Sequence, residues 1–303
     1  MRGWWQDLTD LVLPAECGGC GRPRALLCAA CRAALCGSAP CRVRPVPEPP
    51  GLPVVHAAAP YADAVRAVLL AHKERGALGL ARPLGAALAE TVRAGLRGGT
   101  PTSPESPHRG DTAARSWVDG IHGGSQGRMV PTPTPTAVPL SLVPVPSSRA
   151  SVRARGQDPA RRIALAAAGE LRRAGTPARV LAVLRQRRAV TDQSGLDSRQ
   201  RQANLAGALE VTAGGGRLLM GAGVGRIVVV DDLMTTGASL TEAVRALRAV
   251  LAIRAVPMKE NTRAEAVRGR GTVAVGRHAM GCENEIIAAV VAATPGSFQI
   301  NRN

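Results

Sequence analysis

A short apolar run that ends in two acidic residues constrains the fold more than any other feature of this chain of 303 residues. Ile227-Val-Val-Val-Asp231-Asp232 is rich in β-branched residues and predicts a buried strand. The loop Thr235-Thr-Gly-Ala-Ser239 follows it and leads into a predicted helix over 240–251 with one apolar stripe. A buried strand that feeds a helix in this way predicts the α/β class, with a mostly parallel sheet flanked by helices.

The rest of the chain alternates between strand and helix patterns. Strands are predicted over 54–59, 139–146, 179–185, 206–211 and 286–292, and helices over 4–13, 63–70, 80–96 and 159–173. The glycine-rich stretch 214–225 predicts a turn. A proline-rich linker over 45–53 separates an N-terminal module, residues 1–45, from a main domain, residues 54–303. Within that domain 98–138 predicts a disordered insertion and 257–285 a loose one, because neither can bury enough apolar surface.

The loop after the acidic strand has the composition of a phosphate site. The start of a helix offers free backbone N–H groups and the positive end of a dipole, which favour an anion. Gly237 lets the backbone approach a ligand closely, Ala238 is small, and hydroxyl donors are supplied by Thr235, Thr236 and Ser239. Asp231 and Asp232 could accept hydrogen bonds from ribose hydroxyls, or hold a metal ion that does.

Two other interpretations of this segment compete. The acidic strand end is also typical of P-loop nucleotide-binding proteins, but neither Lys73 nor Lys259, the only lysines, lies in the required Gly-x4-Gly-Lys-Ser/Thr motif. Ser239-x-x-Glu242 also matches a capping box, so Ser239 could cap the helix, alone or while contacting phosphate.

Six of the seven cysteines lie between positions 17 and 41. Two Cys-x2-Cys pairs separated by seven residues can place four thiolates around one ion; they are formed by Cys17, Cys20, Cys28 and Cys31. We predict a structural zinc ion, since four thiolates leave no open position; redox use of one pair is the alternative. Cys36 and Cys41 could be remnants of a second site or could replace a ligand.

The charge balance suggests an anionic partner. The net charge is +17, and arginines account for 37 of the 39 basic residues. Phosphate or nucleic acid would suit this charge, although a GC-rich genome also enriches arginine. The five aromatic residues argue against a stacking surface for single-stranded DNA. We see no signal peptide and no apolar run of the roughly 20 residues that a membrane span needs, and we expect a cytoplasmic protein.

Several separate stretches together resemble the ComF family, whose members carry an N-terminal zinc ribbon and a type I phosphoribosyltransferase-like domain and are linked to competence and DNA uptake. They follow the expected order: the cysteine cluster, His72-Lys-Glu-Arg-Gly76, Val143-Pro-Val-Pro-Ser-Ser-Arg149, Arg155-Gly-Gln-Asp158, Leu184-Arg-Gln-Arg-Arg188 with Gln193, Arg201-Gln-Ala-Asn204, and 228–239. The last stretch is similar to the motif that binds phosphoribosyl pyrophosphate (PRPP) in type I phosphoribosyltransferases.

The resemblance implies a role for each stretch. The pyrophosphate loop would be Pro146, Ser147, Ser148 and Arg149, with Arg155 and Lys73 neutralising the diphosphate. A hood over the substrate would be formed by Arg185, Gln193, Arg201 and Asn204, which could otherwise form a salt-bridged turn. The expected activity is transfer of a phosphoribosyl group from PRPP with Mg²⁺ and release of pyrophosphate. The alternative is non-catalytic binding of single-stranded DNA or a nucleotide, in contact with the DNA-uptake machinery.

Overall fold

The computed structural model describes residues 16–97, 139–188, 197–221, 224–255 and 286–301. Four predictions fall outside these described residues: the helix over 4–13, the insertions over 98–138 and 257–285, and the role of Gln193.

Six strands form the main sheet. They are β1 (Cys41–Val43), β2 (Val55–Pro60), β3 (Leu140–Pro144), β4 (Ala178–Val180), β7 (Ile227–Met234) and β8 (Ile287–Ala293), in the order β1-β2-β8-β7-β3-β4. Each neighbouring pair is parallel except β1 and β2. A separate antiparallel sheet consists of β5 (Leu184–Gln186) and β6 (Leu209–Val211). The structure confirms the α/β class and the mostly parallel sheet.

Helices cover both faces of this sheet. In chain order they are α1 (Ala29–Cys36), α2 (Asp63–Lys73), α3 (Ala81–Arg97), α4 (Arg149–Arg155), α5 (Pro159–Arg173), α6 (Ser198–Leu205), α7 (Ala213–Met220) and α8 (Ala238–Ala255). Short 3-10 turns occupy Leu78–Leu80 and Pro295–Asn301.

Strand β7 shows why the sheet needs helices on both of its faces. Val228 and Val230 belong to a core with α2, α3 and α5, whereas Ile227 and Val229 belong to a second core with α8. Side chains alternate between the two faces of a strand, so a continuous apolar run is stable only where both faces are covered.

The sequence prediction for 214–225 was wrong over its first half, because 213–220 forms helix α7. The Thr212 side chain accepts a hydrogen bond from the Gly215 N–H at 3.0 Å, which caps the helix, and Leu219 is fully buried. Capping and apolar burial therefore outweigh the cost of three glycines in a short helix.

One strand prediction was also refined, and one strand was not predicted. The predicted strand over 179–185 is divided between β4 and β5, which belong to different sheets. Residues 41–43 fall within the range assigned to the N-terminal module, yet they pair with β2 at the edge of the main sheet. Among the described helices, none is both long and apolar enough to cross a membrane.

Candidate functional site

The carboxyl ends of β3 and β7 open into a cleft of about 410 Å³. The two strands are parallel neighbours, and the chain leaves them in opposite directions: β3 leads through α5 to β4, and β7 leads through α8 to β8 on the other side. Such a divergence leaves a crevice at the strand ends, where open α/β sheets bind their ligands. Topology therefore identifies this cleft as the candidate site.

Most of the predicted phosphate-binding residues meet in this cleft. Its lining includes Lys73, Pro146, Ser147, Ser148, Arg155, Asp231, Asp232, Thr235 and Ser239. Residues 231 and 233–240 also surround a cavity of about 20 Å³ inside the loop, to which Thr236, Gly237 and Ala238 contribute. Arg149, in contrast, is exposed at the start of α4 and does not belong to the described cleft lining.

An acidic pair and one lysine form the electrostatic centre of the cleft. The Lys73 ammonium, at the end of α2, lies 3.1 Å from Asp232 Oδ2, and Asp232 is only 6% exposed. The Asp232 N–H donates to Asp231 Oδ1 at 2.8 Å. The charge of Asp232 raises the pKa of Lys73, whereas burial and then the charge of Asp232 raise the pKa of Asp231 well above its ordinary range.

Asp231 and Asp232 together share one nearby ammonium group, that of Lys73, so the pair has an excess of acidic groups. A second cation beside Asp231 would relieve this imbalance, and carboxylate oxygens are ligands that Mg²⁺ accepts in proteins. The donor set fits a Mg²⁺ ion that arrives with a phosphorylated ligand.

Replacing Asp231 with Asn is expected to stabilise the chain at neutral pH. A carboxyl group whose pKa is raised by folding stabilises the fold below its ordinary pKa of 3.8, and this contribution is lost as the pH rises through the folded pKa. Asn retains the oxygen that accepts from the Asp232 N–H. We expect a rise in Tm of about 2–4 °C at pH 7, shrinking towards pH 4, by calorimetry. An unchanged or lower Tm at pH 7 would contradict this assignment.

The loop Thr235–Ser239 bends sharply into α8. Gly237 has a φ of +77°, and α8 begins at Ala238. Thr235, Thr236 and Ser239 are half-buried, so their hydroxyl groups are held by the fold while part of each side chain stays accessible.

The capping-box alternative is not supported by the partners of Glu242. Its carboxylate accepts from the Leu209 N–H at 3.0 Å and pairs with Arg245 at 2.7 Å. Ser239 is already the second residue of α8, and Glu242 binds the second sheet instead of capping this helix.

The facing wall of the cleft is fixed by hydrogen bonds that the sequence analysis did not find. Asp158 accepts from the Ser147 N–H at 3.3 Å and from the Ser147 hydroxyl at 3.4 Å, and it also caps α5. Ser148 caps α4 by accepting from the Ser151 N–H at 2.9 Å. The buried Gln157 amide donates to the His72 carbonyl at 3.1 Å, which ties this wall to the end of α2. The Asp158-Pro159 pair, typical of a helix start, was the available signal.

The predicted hood residues are brought near the cleft only in part. Arg185 pairs with Glu210 across β5 and β6 at 2.7 Å, as in the salt-bridged alternative. Arg201 and Asn204 lie on α6. Within the described residues, this region contributes Gln186, Leu205 and Leu209 to the cleft lining instead. The sequence analysis assigned no role to these three residues, because their meeting depends on the pairing of β5 with β6 and on the end of α6.

Arg155 lies in the cleft lining but already has an acidic partner. Its guanidinium contacts Glu74 at 3.1 Å, just after the end of α2. A bound diphosphate would therefore compete with the Glu74 carboxylate for this cation.

Four cysteines form a second site, away from the cleft. The sulfur atoms of Cys17, Cys20, Cys28 and Cys31 lie within 4.8 Å of one another, and those of Cys20 and Cys28 are 3.6 Å apart. A tetrahedral zinc site with Zn–S bonds of about 2.3 Å has sulfur atoms about 3.8 Å apart. The cluster can therefore hold a metal ion such as zinc. Cys36 and Cys41 do not belong to this group of described sulfur atoms.

The thiols of this cluster are prepared unequally for metal binding. Burial raises the pKa of Cys17, but the N–H groups of Cys28, Cys20 and Gly19 outweigh it and lower the pKa to about 6. Burial raises the pKa of Cys31 above its ordinary value. A cation at the centre would allow all four sulfur atoms to ionise, since it offsets both desolvation and mutual repulsion.

Comparison with known proteins adds no relative. No protein-family model matches the chain, and no curated protein matches it significantly. What the cleft can bind therefore follows from its position in the sheet, its charges and its hydroxyl groups.

Proposed function

We propose that this chain is a ComF-like protein with a type I phosphoribosyltransferase-like fold, which binds PRPP or a ribose 5-phosphate group in the cleft between β3 and β7. One observation carries the proposal: the acidic pair, the hydroxyl loop and the serine loop line a single cleft at the point where the chain diverges. Groups that donate hydrogen bonds to a phosphate and groups that accept them from sugar hydroxyls therefore line the same cleft, where one ligand could contact both.

Each wall has a separate task in this proposal. The loop Thr235–Ser239 holds the 5′-phosphate with its N–H and hydroxyl groups at the start of α8. Asp231 and Asp232 accept from the ribose hydroxyls or hold Mg²⁺, and the Ser147–Ser148 wall receives the diphosphate near Arg155 and Lys73. The cysteine cluster holds a structural zinc ion.

The reaction that suits these groups is phosphoribosyl transfer. An acceptor nucleophile forms a bond to the ribose C1 while the bond from C1 to the diphosphate oxygen breaks, and pyrophosphate leaves with the electron pair. The protein positions the two reactants and stabilises the charge that develops on the leaving group. Lys73 and Arg155 are the cations that line the cleft for this purpose.

Calorimetric titration with PRPP and Mg²⁺ tests the proposal. We expect Asp232→Asn to weaken binding by about tenfold or more, because a charged acceptor for the ribose hydroxyls, or a ligand for Mg²⁺, is lost. Glu90→Gln, in a surface ion pair on α3, is the control and should bind as the wild type does. A pyrophosphate-release assay with a panel of bases tests turnover. Equal affinities for PRPP in the wild type and the Asp232 variant would count against the assignment.

A second candidate function is binding of single-stranded DNA, in contact with a DNA-uptake machinery. The observation in its favour is a group of exposed arginines on α4 and the first turn of α5: Arg149, Arg153, Arg161 and Arg162. Phosphate contacts by such residues release counterions, so the logarithm of the affinity should fall linearly with the logarithm of salt concentration. A slope near zero would remove this candidate.

A further inference from the structure

An ion pair between a buried glutamate and a half-exposed arginine joins the helix that carries the proposed phosphate loop to the small second sheet. Glu242, on α8, has a side chain that is 5% exposed, and its carboxylate accepts from Arg245 Nε at 2.7 Å and from Nη2 at 2.8 Å. The same pair also holds the backbone of Leu209, since Glu242 accepts from its N–H at 3.0 Å and Arg245 donates to its carbonyl at 3.0 Å.

The pair takes the place of a neighbouring strand. β6 has one strand partner, β5, and thus presents a second edge to the rest of the molecule. There a carboxylate and a guanidinium satisfy the N–H and carbonyl of Leu209, which would otherwise lose their partners on burial. The lateral position of β6 relative to α8 is therefore set by two charge-assisted contacts, and the two Glu242–Arg245 hydrogen bonds hold their donor and acceptor in place.

This position matters for the cleft, because Leu209 contributes to its lining together with Leu205 and Gln186. These residues supply apolar surface and one amide, whereas phosphate donors come from the loop at the start of α8. A ligand held by its phosphate at that loop would meet the Leu205–Leu209 surface with its other end.

We propose that Glu242 and Arg245 are positioning residues that hold the Leu205–Leu209 surface at the distance from the phosphate loop that a nucleoside 5′-monophosphate requires. This inference rests on the proposed function of the cleft. The pair itself lines a different cavity and acts on the ligand through Leu209. Ribose 5-phosphate lacks a base, so its binding should depend little on the pair.

Two other Glu–Arg pairs with the same spacing provide matched controls. Glu90–Arg93 on α3 and Glu170–Arg173 on α5 have glutamate side chains that are 56% and 26% exposed. Neither glutamate belongs to the described cleft lining, so a general loss of one helical ion pair can be separated from a loss of position at Leu209.

The experiment compares two classes of ligand on the full chain by calorimetry with Mg²⁺: ribose 5-phosphate, which lacks a base, and the 5′-monophosphates of adenosine and uridine. We expect Glu242→Gln to weaken the tighter nucleotide by about tenfold, because the buried charge that holds both Arg245 and the Leu209 N–H is removed, and to change ribose 5-phosphate by less than about twofold. Glu170→Gln should change neither. Arg245→Lys should show the same split, since an ammonium cannot replace the planar guanidinium fork, and it retains the charge if Glu242→Gln does not fold.

The outcomes separate the inference from the function on which it rests. Equal losses for both ligands, no loss for either, or a wild type that binds nucleotide no more tightly than ribose 5-phosphate would each overturn the positioning role alone. A wild type that binds no phosphorylated ribose would overturn the proposed function and the inference together.

Discussion

Metal removal is expected to unfold the cysteine module and to lower the Tm of the chain by more than about 10 °C, since a structural zinc site contributes on the order of 10 kcal/mol. Loss of the metal should affect the whole chain, because the cysteine module shares the core of the main domain. Cys17, Cys28 and Cys31 are buried in the same apolar cluster as Val68 on α2 and Leu84 on α3. A Cβ atom at Gly19 would lie 3.3 Å from Val68, so the first cysteine pair packs closely on α2.

Scanning calorimetry with and without a chelator, together with metal analysis, provides the measurement. Cys17→Ser should lose the metal and reproduce the low Tm of the chelated protein. Cys36→Ser is the control, because Cys36 is exposed and lies outside the described cluster, and it should retain both metal and Tm. Retention of the metal by Cys17→Ser would show that Cys17 is not a ligand.

Replacing Gly237 with Val is expected to reduce affinity for ribose 5-phosphate by more than about 100-fold, the size of loss that a displacement of about 1 Å can cause in a binding group. Gly237 has a φ of +77°, a conformation that a β-branched residue strongly disfavours. The position is also crowded, because a Cβ atom there would lie 2.8 Å from Leu52 Cδ1 and 3.4 Å from Pro49 Cγ. Strain and contact would both displace the loop whose N–H groups we propose hold the 5′-phosphate.

Gly175→Val is the control for loss of stability through backbone strain at a position outside the loop. Gly175, between α5 and β4, has a φ of +79°, but an added Cβ atom would have no neighbour within 4 Å. Both variants should lose stability through backbone strain, by about 1–3 kcal/mol. Only Gly237→Val should lose binding, as measured by calorimetry below the Tm of both variants. Similar losses of affinity in the two variants would mean that the loop is not the phosphate site.

The features predicted well from the sequence are those set by residues close together in the chain. Strand β7, the loop at Gly237 and helix α8 follow from an apolar run, a glycine in a turn and a leucine stripe. Their meeting with Ser147 and Ser148 could also be anticipated, because the carboxyl ends of parallel strands share one edge of the sheet. Local pattern and sheet topology together therefore locate the cleft.

The features missed depend on contacts between distant segments. The roles of Gln157 and Glu242 depend on backbone groups of His72 and Leu209, which lie 85 and 33 positions away. No periodicity encodes such contacts. Helix α7 was missed for a different reason, since three consecutive glycines have low helix propensity and only the Thr212 cap and burial of Leu219 compensate for it.

In the proposed function, the two sheets carry separate parts of the cleft. β5 and β6 pair with each other and with none of the six strands that support the acidic pair and the phosphate loop. In the proposed function, substitutions in the two-stranded sheet that bears Gln186 and Leu209 would change the surface opposite the phosphate loop, while the parallel strands under the acidic pair stay unchanged. An engineer seeking a new ligand for the proposed cleft would exchange this two-stranded unit together with Glu242 and Arg245, which hold it to α8.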